Sequence, residues 1–199
     1  MSGVTPKKPI FTGFSYICIM VDDVNEAFPY YERILGAVPR EYFPYWRNKG
    51  FFKGMGFMKE AGESEVSVGI MDVPGTRLVL VLMRYHYPEG RKTPIIFKAN
   101  DMSGARFVSL ETENIEEAFA YISAQPDITL IHTDDDGHEY KVAQLSITRP
   151  FDFLCFDWEM EGNFDKKQEE AERISSRKFF HFIDKYGLQW EFMQEKKQL

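Results

Sequence analysis

The sequence predicts an α+β fold built by duplication: two consecutive modules, each opening with a strand and a helix and closing with strands. Three observations predict it. Two segments alternate apolar and polar residues at period two and then change to helical spacing. The two segments align with one another at a fixed offset. Each half of the chain then ends in a pair of apolar runs separated by a glycine turn.

The first strand runs from Phe14 to Val21, with Ile17, Ile19 and Val21 on one face and Tyr16, Cys18 and Met20 on the other. Asp22, Asp23 and Asn25 supply turn and N-cap chemistry for a helix from about Glu26 to Leu35. Gly36 is its natural stop, and Pro29 falls near the first turn, where a missing N–H costs little. In the second half, Val108, Leu110 and Thr112 alternate with Phe107, Ser109 and Glu111; Asn114 then precedes a helix from Ile115 to Ala124, closed by Pro126. Glu26, Ala27, Phe28 and Tyr30 fall opposite Glu117, Ala118, Phe119 and Tyr121, a constant offset of 91. So long a period marks an internal duplication and not a solenoid.

The first half closes with strands at Glu65–Met71 and Leu78–Arg84 around a Pro74-Gly75 turn; the second closes with Phe179–Ile183 and Leu188–Gln194 around Asp184 to Gly187. Val81-Leu82-Met83 matches Glu191-Phe192-Met193 at an offset of 110, so the second half carries about 19 extra residues. That surplus lies between Asp134 and Arg177. It contains the acidic run Asp134–Asp136 before Gly137, an apolar run from Phe151 to Trp158, and a charged segment, Asp165–Arg177, that reads as a solvated helix. The acidic run lacks the alternating ligands of a calcium loop. The resulting boundaries are 10–86 for the first module, 87–104 for a crossover linker and 105–195 for the second module, with an insertion at about 134–177.

Composition narrows the function classes. The net charge of −7, without a long basic run, argues against nucleic acid as a partner. No segment approaches membrane-span length, and the N-terminus lacks a signal-peptide core, so no membrane partner and a cytoplasmic location are expected. Cys18 and Cys155 read as reduced, packed thiols.

Asp23-Val24-x-Glu26-Ala27, then Tyr30-Tyr31 and Leu35-Gly36, resembles the opening of a vicinal oxygen chelate module. Asp184-x-x-Gly187-x-x-x-Glu191-Phe192 resembles the hairpin that ends one, and Val73-Pro74-Gly75-Thr76 with the following apolar strand resembles the end of the first. This is the superfamily of glyoxalases, bleomycin resistance proteins and extradiol dioxygenases. The resemblance implies two tandem βαβββ modules forming a cupped mixed sheet around a central cavity, where four inward positions hold a divalent metal. Carried over, those positions are Tyr16, Val81, Phe107 and Glu191, of which only Glu191 is a usual ligand. No cofactor is therefore expected; a divalent metal would need unusual ligands such as His181 or His132.

The sequence reading is a small-molecule protein whose degenerate metal site binds an apolar or aromatic metabolite. As an enzyme it would be of lyase or isomerase type and not a dioxygenase, with Glu191 transferring a proton next to a carbonyl, aided by Tyr16. Desolvation of a carboxylate in an apolar cup suits such a role. Phe107, Val81, Met20, Ser109, Glu111 and His181 complete the ligand-binding set. The alternatives are a non-catalytic sequestering protein of the bleomycin-resistance type and a metal-dependent lyase or dioxygenase. The apolar run 151–158 reads as a homodimer contact.

Overall fold

The computed structural model describes residues 11–96, 100–102, 104–131, 142–144 and 161–195. The acidic run, the apolar run 151–158, His132, His138 and Cys155 lie outside the described residues. The chain divides into two compact units, Met1–Lys92 and Thr93–Leu199.

In the first unit the order is β1 (Ile17–Met20), α1 (Val24–Leu35), β2 (Val38–Trp46), α2 (Lys49–Gly54), β3 (Glu65–Asp72) and β4 (Val79–Tyr87). The sheet order is β1-β4-β3-β2, with β1 parallel to β4 and the other pairs antiparallel. Asp23 caps α1, its carboxylate accepting from the Asn25 amide at 2.8 Å, and Gly36 ends it in the left-handed region at φ 62°. The helix starts two residues earlier than the spacing predicts. Pro29 therefore sits in its second turn, and the Asn25 carbonyl loses its helical donor.

Val24, Ala27, Tyr30, Tyr31 and Ile34 bury the inner face of α1, and Ile19, Met71, Leu80 and Leu82 are buried in the sheet. Gly69 sits beneath the helix. A Cβ there would lie 2.6 Å from Val24 Cγ1 and 2.7 Å from Phe28 Cζ, so only glycine admits this approach.

Two elements of this unit escape the sequence patterns. β2 is an edge strand exposed along nearly its whole length, so it carries no alternation to read. Its pairing with β3 is interrupted between Pro39 and Glu41 and again between Phe43 and Trp46. At the second irregularity Ser67 donates to the Pro44 carbonyl at 2.6 Å, and His86 Nε2 lies 2.6 Å from the same hydroxyl. With its single proton given to Pro44, the Ser67 oxygen accepts from His86, which is a structural use of that histidine. The short α2 brings Phe52 into a buried cluster with Ala61, Val66 and Met83, against which Trp46, Phe51, Phe57, Val68, Val81 and Tyr85 pack.

The second unit runs β5 (Phe107–Glu111), α3 (Ile115–Ser123), β6 (Thr129–Ile131), β7 (Ala143–Gln144), α4 (Phe164–Ser175), β8 (Lys178–Ile183) and β9 (Gln189–Gln194). Its sheet follows β5-β9-β8-β6, with β7 also pairing β8. Ile115, Phe119 and Ile122 of α3 are buried together with Phe180, Phe182 and Trp190 of the sheet. Phe119 meets Phe180 edge-on at 5.2 Å. The Trp190 indole donates to buried Asp184 at 2.9 Å, and the same carboxyl group accepts from the Tyr186 and Leu188 amides, closing the hairpin. The solvated helix of the insertion is α4, which buries no residue. Arg173 and Arg177 tie it to Glu195, just beyond β9.

The duplication is visible in register. In the first unit Cys18 pairs Val81 across a parallel ladder; in the second Ser109 pairs Glu191, the positions that the two offsets predict. Val24 and Ile115 are buried equivalents, as are Tyr31 and Ile122. Tyr30 is buried while its counterpart Tyr121 is exposed, so α3 seats a narrower stripe. The architecture is two mixed α+β sheets, each opened by a strand and helix. Among the described residues no helix is long and apolar enough to cross a membrane.

Candidate functional site

The period-two alternation of β5, β8 and β9 sends Val108, Phe182 and Trp190 toward α3 and leaves the opposite face to Phe107, Ser109, His181, Gln189 and Glu191. Cross-strand register then places Ser109, Glu191 and His181 side by side in one row. Ser109 Oγ donates to Glu191 Oε1 at 2.6 Å, and His181 Nε2 lies 3.2 Å from Glu191 Oε2. The Gln189 amide nitrogen lies 3.2 Å from His181 Nδ1. That contact makes Nδ1 the acceptor and leaves the proton on Nε2, aimed at the carboxylate. Phe107 meets the imidazole edge-on at 5.0 Å, and Phe179 does so at 5.6 Å.

The side chains of Glu191 and His181 are only 15% and 18% exposed. Burial pushes the His181 imidazole below the usual histidine range; the Glu191 carboxylate and a hydrogen bond with the Trp190 backbone pull it partly back. The neutral His181 imidazole and the Ser109 hydroxyl are thus both donors to the Glu191 side chain.

The equivalent row of the first unit is Cys18, Val81 and Ile70, which carries no charge. Val81 packs against the Phe52 cluster, so α2 covers part of this face. Tyr16 and Met20 are exposed at the two ends of β1. Cys18 is solvent-exposed, not packed as its sequence context suggests.

The structure therefore brings together Glu191, His181, Ser109 and Phe107. Glu111 shares their face one step further along β5, exposed and opposite Met193. Tyr16, Val81 and Met20 belong to the first unit. The sequence reading missed Gln189, although its place two residues before Glu191 sets it on the same face. It also missed Arg106, which with Ile95, Ile96 and Ala105 lines a cleft of about 250 Å³ against Ile183, Leu188 and Gln189.

A resident divalent metal does not fit this donor set. The four positions expected to hold one carry a phenol, an isopropyl group, a phenyl ring and a carboxylate. Among the described residues no three His, Cys, Asp or Glu side chains gather as a metal set. His181 with Glu191 offers two ordinary ligands where a catalytic centre takes three.

The profile of the Glyoxalase/Bleomycin resistance protein/Dioxygenase superfamily matches residues 13–143. A glyoxalase family protein from Bacillus cereus has a similar structure: TM-score 0.62 at 12% identity, with 97% of this chain and 100% of that one covered. A fosfomycin resistance protein from Listeria monocytogenes, complexed with Mn(II) and sulfate, gives a TM-score of 0.45 at 12% identity, covering 94% and 95%. The curated proteins contain no match to the chain.

Proposed function

The chain belongs to the Glyoxalase/Bleomycin resistance protein/Dioxygenase superfamily, and from that premise we propose that it is a cytoplasmic small-molecule enzyme of lyase or isomerase type that transfers a proton without a metal. The observation that carries this reading is the Ser109–Glu191–His181 row, a nearly buried carboxylate with two hydrogen-bond donors beside an aromatic ring.

Glu191 is the acid–base group. It takes the proton from a carbon next to a carbonyl. The C–H electron pair passes into the enolate, and Glu191 returns the proton to the γ carbon of a conjugated enolate (isomerase), or the pair expels a β leaving group that takes the proton from Glu191 (lyase). Ser109 and His181 hold the carboxylate in place between these steps, and a neutral His181 can do so without adding charge. Phe107 supplies an apolar wall. Glu111, on the same face one step along β5, is proposed as further lining.

The test uses untagged full-length protein. Plasma mass spectrometry should find less than stoichiometric metal, and chelator should leave ligand binding intact. Glu191→Gln should lower turnover about a hundredfold or more while ligand affinity stays within twofold. Stoichiometric metal that disappears in Glu191→Ala sinks the metal-free reading. Ligand binding without turnover in the unsubstituted protein would place it with the sequestering proteins instead.

A further inference from the structure

Gln189 and His181 are diagonal neighbours across β8 and β9: Gln189 pairs Ile183, and His181 pairs Glu191. Such a diagonal is about 7–8 Å, within reach of a long side chain, and the Gln189 amide nitrogen closes on His181 Nδ1 at 3.2 Å. The other ring nitrogen, Nε2, lies 3.2 Å from Glu191 Oε2. Phe107 and Phe179 meet the imidazole edge-on at 5.0 and 5.6 Å. Rotated by half a turn about its Cβ–Cγ bond, the ring would present carbon to both polar partners. The two contacts together therefore select one ring orientation.

These contacts form a chain with a direction. An amide N–H aimed at Nδ1 needs a bare nitrogen there, so the ring's one proton goes to Nε2 and points at Glu191. Protonating Nδ1 would set two N–H groups against each other. Among the described residues, Glu191 is the charged group that acts on His181. Glu191 and the Trp190 backbone favour the protonated ring, while burial opposes it. The Gln189 donor acts on the side of burial, because a hydrogen bond to the neutral form disfavours the charged one. We infer that Gln189 is a positioning residue: it keeps His181 oriented, neutral and protonated at Nε2, so that the imidazole donates to Glu191 without a positive charge. The inference rests on the proposed acid–base role of Glu191 and adds the reason the site needs an amide there. An imidazolium beside Glu191 would oppose proton uptake by its carboxylate.

Long-range proton–nitrogen correlation NMR on the untagged full chain, isotope-labelled at its four histidines, reads the state of each ring nitrogen. The His181 signals are those missing from His181→Gln. At pH 7.5 its Nε2 should carry the proton and its Nδ1 should not. Gln189→Leu, which keeps the bulk and removes the donor, should raise the His181 titration midpoint by about half a unit to one unit, the worth of one hydrogen bond. Gln189→Glu sets a carboxylate against Nδ1 and should raise the midpoint further, by about 1–3 units. A proton on Nδ1 in the unsubstituted protein overturns the inference, and so does a midpoint unmoved in Gln189→Leu. Failure of the proton-transfer reading looks different: ring signals as expected, with ligand bound and not turned over.

Discussion

Substituting Gly187 tests how the second unit builds its cleft. Two costs act at this position. Gly187 has φ 87°, in the left-handed region, where a side chain costs about 1–2 kcal/mol. Its added Cβ would also stand 2.6 Å from Pro94 Cβ, far inside contact distance. Pro94 is part of a rigid ring and cannot swing its Cβ away, so the crossover must shift, an overpacking cost of about 1–3 kcal/mol.

Gly75 is the natural control. Its φ of 76° is nearly the same, and an added Cβ meets nothing within 4 Å. Alanine also stiffens the unfolded chain equally at both sites, so that gain cancels in the comparison. Gly187→Ala should therefore cost about 1–3 kcal/mol more than Gly75→Ala, measured as the difference in urea unfolding free energy. Pro94→Gly, which removes the opposing Cβ, should return most of that excess in a double-mutant cycle. Equal costs for the two alanines would refute the seating of Pro94 on the turn, and with it the wall of the cleft.

Two further outcomes follow from packing and charge. Gly69→Ala should destabilise by about 1–3 kcal/mol, because Val24, a stiff β-branched residue, and the Phe28 ring stand 2.6 and 2.7 Å from the new Cβ; a neutral result in thermal or urea unfolding would mean α1 is not seated there. His181 is held below its ordinary value of 6.5 mainly by burial, so as pH falls the unfolded chain takes up the proton first. Stability present above the unfolded value should be lost below it, down through the folded one, and urea midpoints at pH 7.5, 6.5 and 5.5 should fall more steeply in the unsubstituted protein than in His181→Gln. Parallel slopes would contradict a buried, neutral imidazole.

Much of the frame was legible in the sequence because it rests on local patterns. Alternation placed β1 and β5, apolar runs flanking a turn placed β8 and β9, and the N-cap residues before each helix announced α1 to within two residues and α3 at its first residue. The glycines at 36, 75 and 187 all occupy the left-handed region that ends a helix or turns a hairpin. β2 was not legible, because an exposed edge strand with two prolines has no buried face to pattern it. Nor was α2, whose six residues are too few to show a period.

The site divides in the same way. The sequence by itself put Glu191, Ser109 and Phe107 on the inward faces of their strands, because side chains on a strand alternate whatever the partner. It also left Glu191 as the one usual ligand among the four expected metal positions. Only the tertiary structure decided that Ser109, 82 residues away, donates to Glu191, and that His181 stands on its other side. Strand register between distant segments is set by which hydrophobic faces pack together, here Trp190, Phe180 and Phe182 beneath α3, and no local window of sequence contains that information. Nor does any local window show that Pro94 sits on Gly187 across the hairpin turn.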